Sequence, residues 1–224
     1  EKGTIVIGSS TRLRQLEKSE IVENKTPLLH DAVKRIGSVQ IRNMATIGGN
    51  LCNASPCADS AVALLALDAE VETVGLMGAR RIPLCEFFTG PGVTVLKPGE
   101  LLKEIIVPCQ SEESLWDFVK VTRTELDLAV INMAYSLELK GGKVRKVAVA
   151  LGSVAPTPLR LRKIEALLEG REIDPESIVR LSEMVPSIID PISDVRGSRD
   201  YRLQVSKNLV KDMLIKTQAG GANN

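Results

Sequence analysis

Gly48, Gly49 and Asn50 stand together in the stretch "QIRNMATIGGNLCNASPCADS" (residues 40–60), between an apolar and a polar run. Adjacent glycines carry no Cβ and tolerate positive φ, so the backbone N–H groups there can converge on an anion such as a phosphate. Thr46 adds a hydroxyl group and Asn50 adds an amide. A helix that follows would direct the positive end of its dipole at the same anion. We therefore expect a glycine loop that binds a phosphate-bearing ligand.

The loop lacks the marks of two familiar phosphate sites. No G-x-x-x-x-G-K-[ST] pattern supplies the lysine that a triphosphate needs, and no G-x-G-x-x-G pattern indicates a Rossmann fold. A diphosphate held by backbone donors fits the neutral composition, with Asp59 accepting hydrogen bonds from sugar or polyol hydroxyls. A second interpretation stays open, in which the two glycines form a simple turn and Asp59 is the N-terminal charge of a helix.

The charge balance of the 224-residue chain argues against nucleic acid as its main partner. Its 29 lysines and arginines nearly equal its 28 aspartates and glutamates, and only 3% of its residues are aromatic. The chain therefore has neither a large positive charge that would attract nucleic acid nor many aromatic side chains on which bases could stack. The longest apolar run, residues 61–67, falls short of the roughly 20 residues that span a bilayer. We expect a cytoplasmic protein with no membrane segment.

The cysteines and the single histidine predict no metal centre in this chain. Cys52, Cys57, Cys85 and Cys109 form no C-x-x-C pair, and unpaired thiols suit a reducing compartment. With His30 as the one histidine, neither a histidine metal site nor a Ser-His-Asp triad is expected from this chain alone.

Residues 1–109 alternate short strands with helices. The stretch "TIVIGSS" predicts a strand, and the apolar spacing and capping residues predict helices over 12–22, over 27–37 and from Ser55 onward. The polar run "CQSEES" at 109–114 marks a domain boundary.

Residues 114–218 form the second predicted domain. Two apolar strands around "KGGK" predict a hairpin, and amphipathic helices follow them. We expect residues 219–224 to be a disordered tail. This order predicts an α+β fold with helices on one face of an antiparallel sheet.

Three blocks of the sequence, in the same order, closely resemble the FAD-binding medium subunit of the molybdenum hydroxylases, the xanthine dehydrogenase and carbon monoxide dehydrogenase family. They are residues 36–72, which contain "TIGGN", residues 87–108 ("FFTGPGVTVLKPGELLKEIIVP") and residues 118–139 ("FVKVTRTELDLAVINMAYSLEL"). The resemblance implies the second subdomain of a vanillyl-alcohol-oxidase-like FAD-binding domain, followed by a C-terminal α+β domain. The family's N-terminal FAD subdomain, with its "GGT" loop, has no counterpart in this sequence.

The resemblance also implies a function in electron transfer. In such complexes a molybdopterin-binding large subunit supplies electrons to the iron–sulfur clusters of a 2Fe-2S small subunit. FAD on the medium subunit then passes these electrons to NAD or another acceptor. An alternative is a cofactor-free structural subunit that bridges the large and small subunits. A nucleotide hydrolase is disfavoured, because the chain has neither a Walker lysine nor a candidate histidine base.

By position, the resemblance assigns cofactor-binding roles to residues in all three blocks. The diphosphate would lie at Thr46, Gly48, Gly49 and Asn50, with Ile47 a further cofactor-binding position. The ribityl chain would lie at Ser55 and Asp59, the isoalloxazine at Cys52 and Leu102, and the polar edge of the flavin at Lys120 and Asp127. A cation at that edge would stabilise negative charge on the reduced flavin. Without the resemblance, Lys120 would be interpreted as a surface residue and Asp127 as a turn residue.

Overall fold

The computed structural model describes residues 3–124 and 126–221, which form helices and antiparallel sheets. The helices are α1 (Leu13–Glu17), α2 (Glu20–Lys25), α3 (Pro27–Lys34), α4 (Val39–Met44), α5 (Ile47–Cys52), α6 (Asp59–Ala66), α7 (Arg162–Leu168), α8 (Pro175–Met184) and α9 (Arg199–Gly221). The strands are β1 (Thr4–Gly8), β2 (Glu70–Gly75), β3 (Gly78–Pro83), β4 (Phe88–Gly90), β5 (Val93–Thr94), β6 (Leu101–Pro108), β7 (Leu115–Val121), β8 (Ile131–Lys140), β9 (Lys143–Gly152) and β10 (Leu159–Arg160).

The first sheet has the strand order β1, β6, β2, β3, and all its neighbours are antiparallel. Alternate residues of β6, Ile105 and Val107, are fully buried in the core that this sheet shares with α3 and α6. β4 and β5 form a separate two-stranded ribbon. The first half of the chain therefore builds its core from a four-stranded sheet and several short helices.

The second sheet has the order β10, β9, β8, β7 and is also antiparallel. The hairpin that "KGGK" predicts joins β8 to β9, and Gly141 and Gly142 take φ values of 58° and 76° there. Two successive positive φ values match the twist of the flanking strands. One face of this sheet, with Met133 and Val149, packs against α7, α8 and α9. The predicted α+β arrangement of the second half is thus confirmed.

The opposite face of the second sheet is covered by α6, which belongs to the first half of the chain. All residues of α6 are buried, as expected for a helix enclosed by protein. The sheet offers it small residues, among them Ala134, Ala150 and Gly152, which allow a close approach. The two halves are therefore joined by this packing as well as by the connection at 109–114.

The helix expected over residues 12–22 is divided into α1 and α2. Ser19 causes the break, because its side chain accepts a hydrogen bond from the Val22 N–H and starts a new helix. The helix expected from Ser55 begins later, at Asp59.

The C-terminal tail also differs from the expectation. α9 continues to Gly221, so residues 219–221 are helical, whereas 222–224 lie outside the described residues. Among the helices that the structure describes, none has both the length and the apolar composition that crossing a bilayer requires.

Candidate functional site

The two adjacent glycines lie in the first turn of α5. Thr46 is the N-cap residue, and its Oγ1 accepts the N–H of Gly49 at 3.0 Å. The N–H of Gly48 donates to the Ser9 carbonyl at 2.9 Å, and that of Asn50 to the Thr46 carbonyl at 3.0 Å. Neither glycine has a positive φ. The expected loop with free amides is therefore wrong, because these donors are already engaged within the chain.

Gly48 is required by the close contact between α5 and the segment that follows β1. A Cβ at Gly48 would lie 2.6 Å from Ser9 Cβ and 2.7 Å from Ser9 O. The contact outweighs the intrinsic cost of about 1 kcal/mol that a glycine brings to a helix.

Replacing Gly48 with alanine should lower the free energy of unfolding by about 1–3 kcal/mol, because the added methyl group overlaps backbone that must move. Urea unfolding followed by circular dichroism measures this change. Gly90→Ala is the matched control, since the nearest atoms to its Cβ are Val93 side-chain atoms at 3.9 and 4.0 Å. Equal midpoints for G48A and the unmodified chain would contradict the close contact.

A side-chain hydrogen bond joins α5 to the start of α6. Ser60 Oγ donates to Asn50 Oδ1 at 2.6 Å, and Ser60 is fully buried. Asn50 is half-buried. The first turn of α5 thus lies beside the first turn of α6.

Asp59, the first residue of α6, forms a buried ion pair with Lys120 of β7. Asp59 Oδ2 lies 2.9 Å from Lys120 Nζ, and the two side chains are 7% and 5% exposed. Lys120 Nζ also donates to the Arg35 carbonyl at 2.7 Å. Asp59 Oδ1 accepts from Asn132 Nδ2 at 2.6 Å. The pair therefore connects the first half of the chain to the second sheet.

The surroundings of Asp59 have opposing effects on the pKa of its carboxyl group. Burial raises the pKa of the Asp59 carboxyl, and Lys120, Asn132 and Arg35 oppose that rise. The charge of this carboxylate is therefore maintained by protein groups instead of water.

A cavity of about 590 Å³ opens beside Lys120, and we call it the Lys120 cavity. Its walls come from the turn between α3 and α4 and from the end of β7, and include Lys34, Arg35, Gly37, Arg42, Lys120 and Thr122. Among the described residues, which exclude position 125, the lining contains these basic side chains and no acidic one. The cavity therefore suits a ligand that carries or develops negative charge.

Arg42 fixes one wall of the Lys120 cavity. Its guanidinium donates to the carbonyls of Ile36 and Gly37, both at 2.9 Å, and to Glu17 at 2.8 and 3.3 Å. The hydrogen bond from Arg42 lowers the pKa of Glu17. Because Arg42 is buried and uses four of its five N–H donors in these bonds, it holds the turn between α3 and α4 in place.

Comparison with known proteins assigns a family to this fold and site. Residues 1–110 match the FAD binding domain in molybdopterin dehydrogenase, and residues 116–217 match the CO dehydrogenase flavoprotein C-terminal domain. The glyceraldehyde dehydrogenase medium chain of Sulfolobus acidocaldarius is 36% identical over 92% of this chain and 73% of its own length. The chain belongs to the FAD-binding medium subunits of the molybdenum hydroxylase family.

Other relatives of this medium subunit agree in sequence and fold. The xanthine dehydrogenase FAD-binding subunit of Escherichia coli O157:H7 is 33% identical over 98% of this chain and 76% of its own length. A solved chain of carbon monoxide dehydrogenase from Hydrogenophaga pseudoflava matches with a TM-score of 0.91 and 34% identity, over 95% of this chain and 74% of that one. For reconstituted CO dehydrogenase from Oligotropha carboxidovorans the TM-score is 0.92, with 30% identity and coverage of 98% and 77%. The predicted family and α+β fold are confirmed.

Most of the positions predicted to contact FAD in this medium subunit lie around the starts of α5 and α6. Thr46, Gly49 and Asn50 are accessible there, whereas Ile47 and Gly48 are buried. As contacts to FAD, all of these positions stay predictions.

Three further predicted positions are accounted for by local packing. Cys52 ends α5 and packs against the first core, and burial raises the pKa of its thiol, which suits a small apolar role. Ser55 Oγ lies 3.2 Å from Cys57 Sγ. Leu102 is buried on β6 in the same core.

The structure does not bring Asp127 to the Lys120 cavity. Asp127 is exposed, its N–H donates to the Thr124 carbonyl at 3.2 Å, and it borders a different cavity with Arg123 and Arg196. The interpretation of Asp127 as a turn residue describes its surroundings, and its predicted contact with the polar edge of the flavin stays a prediction.

Sequence reasoning missed Asn132 and the residues of the α3–α4 turn. Asn132 has no solvent exposure and stands in the apolar run "LAVINMAY". A lone amide inside an apolar strand is a signal for a buried hydrogen-bonding role. Arg35 and Arg42 look like ordinary helix-surface charges, and nothing in their spacing indicates the cavity.

The residues present fit one end of FAD better than the other. The volume of the Lys120 cavity lies within the roughly 300–1,000 Å³ of small-molecule sites, and its basic lining suits the pyrimidine edge of a flavin. The amides of Gly48 and Gly49 are engaged within the chain, and the diphosphate contact predicted there stays a prediction. Within the described residues no group of histidine, cysteine and acidic side chains could hold a metal ion.

Proposed function

We propose that this chain binds FAD with the isoalloxazine in the Lys120 cavity and transfers electrons from the iron–sulfur clusters of a 2Fe-2S small subunit to NAD or another acceptor. A molybdopterin-binding large subunit would complete the complex, since relatives are named as medium chains of such dehydrogenases. When bound, FAD supplies the two-electron redox chemistry.

The placement of Lys120 carries the proposal. An ammonium group has three N–H donors, of which two are engaged with Asp59 and with the Arg35 carbonyl. Among the described residues no other acceptor binds Lys120 Nζ, so the third donor is available to a ligand in the cavity that Lys120 lines. A fixed cation at the pyrimidine edge stabilises the negative charge that the flavin gains on reduction.

Filling the Lys120 cavity tests the location of the flavin without disturbing the buried pair. Thr122→Trp should weaken FAD binding at least about tenfold, measured by fluorescence titration of the assembled complex, because an indole occupies space the flavin needs. Glu172→Trp is the matched control, as it adds the same bulk at a separate cavity of about 510 Å³ near α7 and α8. Equal affinities for both variants would place the flavin elsewhere.

The cofactor-free structural subunit predicts a different outcome for the unmodified complex. In that case the partner subunits co-purify with the chain, but the preparation is colourless, takes up no added FAD and supports no NADH-linked dye reduction. A flavin absorbance spectrum, together with reduction of NAD or an artificial acceptor, is the result expected from the proposed function.

A further inference from the structure

We infer that Asn132 is a positioning residue which, acting through Asp59, holds the Lys120 ammonium at the edge of the Lys120 cavity. The inference rests on the proposed function only in that the consequence for the flavin requires bound FAD.

The geometry of Asn132 permits one orientation of its amide. Its Nδ2 donates to Asp59 Oδ1 at 2.6 Å and to the Cys57 carbonyl at 3.2 Å. Both partners are acceptors, so the NH₂ group must face them and the oxygen must face away. Asn132 is therefore a dedicated double donor to the segment that starts α6.

The position of the Asn132 amide oxygen explains why residue 152 of the neighbouring strand β9 is a glycine. Asn132 Oδ1 is buried without a hydrogen-bond donor among the described residues. Asn132 is paired with Gly152 across β8 and β9, and a Cβ at Gly152 would lie 2.0 Å from that oxygen. The same Cβ would lie 2.9 Å from Val62 Cγ2 of α6. Gly152 thus leaves the space in which the amide takes its only suitable orientation.

Asn132 influences the position of Lys120 because the two side chains bind different oxygens of the Asp59 carboxylate. Asn132 binds Oδ1 and Lys120 binds Oδ2, so the carboxylate is held from both sides. Removal of the Asn132 donor frees the carboxylate to rotate, and the ammonium must follow its counter-ion or lose it. The position of the cation at the cavity therefore depends on an amide that does not line the cavity.

The first test uses the flavin midpoint potential of the assembled complex. Asn132→Leu keeps the side-chain size but removes both donors, and Gly152→Ala pushes the amide without touching the cavity lining. Each variant should reduce the ratio of affinities for reduced and oxidised FAD about tenfold, which lowers the midpoint potential by about 30 mV for a two-electron couple. Loss of packing alone does not predict a change in potential.

A matched control lies at the other end of the same helix. Asp68 follows α6 and pairs with Arg160 of β10 at 2.7 Å, so it also joins the two halves of the chain. Asp68→Asn should leave the midpoint potential unchanged. A shift of the same size in this variant would overturn the inference in favour of a general effect of the interface.

The second test needs no flavin and compares the unmodified chain with Asn132→Leu. The Asn132 side-chain NH₂ resonances should titrate together with the Asp59 carboxyl carbon in NMR spectra, and in Asn132→Leu the Asp59 titration should move to higher pH. Independent titration of the two groups, or an unmoved Asp59 in the variant, would overturn the inference whatever the state of the cofactor. If the spectra behave as expected but the complex contains no FAD, only the proposed function fails.

Discussion

Replacing Arg160 with methionine should lower the free energy of unfolding by about 3–5 kcal/mol, because it removes the buried counter-ion of Glu165. The Arg160 guanidinium donates to both oxygens of Glu165 at 2.7 and 2.9 Å. It also donates to the Leu65 carbonyl at 2.5 Å and to Asp68 at 2.7 Å, at the C-terminal end of α6. The cation is thus placed where the helix dipole favours it. Urea unfolding curves of the two proteins measure the difference.

An exposed ion pair provides the control for Arg160. Arg199 pairs with Asp190 at 3.1 Å, and the two side chains are 49% and 86% exposed. Arg199→Met should change the free energy of unfolding by less than about 1 kcal/mol. A similarly small loss in Arg160→Met would mean that the buried cluster does not hold α6 to the second sheet.

Lys120→Met should destabilise the chain by about 3–5 kcal/mol near neutral pH, and by less in acid. Burial already raises the pKa of Asp59, and the variant lacks the main charge that opposes this rise. An acid whose folded pKa lies above its unfolded value favours folding below the unfolded pKa, and this contribution is lost as the pH rises through the folded pKa. The deficit of the variant should therefore be larger at about pH 8 than at about pH 5. Urea unfolding at the two pH values measures it.

The double variant Lys120→Met/Asp59→Asn separates charge from packing. Because neither residue 59 nor residue 120 then titrates, the free energy of unfolding of the double variant should lack the additional pH dependence that Lys120→Met shows over the same range. A K120M deficit that is constant with pH would contradict the account of Asp59 as a carboxylate stabilised by its lysine.

Local signals in the sequence predict the elements whose stability is local. The "KGGK" turn predicts the hairpin of β8 and β9, because the two glycines tolerate the positive φ angles that the turn requires. The apolar stripe that begins at Pro27 predicts α3. The family and its FAD-binding domain follow from three blocks of sequence that keep their order.

Local sequence patterns do not predict which distant parts of the chain contact one another. Two glycines count against a helix, so α5 is not predicted from propensity; the Thr46 cap and the packing of Gly48 on Ser9 account for it. Asp59 and Lys120 were each predicted as flavin contacts, but nothing in their spacing indicates that they bind one another. Their pairing arises from the way α6 crosses the second sheet.

The shared use of α6 has a consequence for how the polypeptide tolerates cutting. Each half carries one layer that the other half needs, since the second sheet without α6 would expose Ala134, Ala150 and the amide of Asn132 to water. A protease that nicks the connection at 109–114 should therefore yield two peptides that remain associated and elute together from a gel-filtration column. Conversely, the second half expressed as an isolated fragment should self-associate or aggregate, because the apolar face of its sheet that α6 normally covers would be exposed to water.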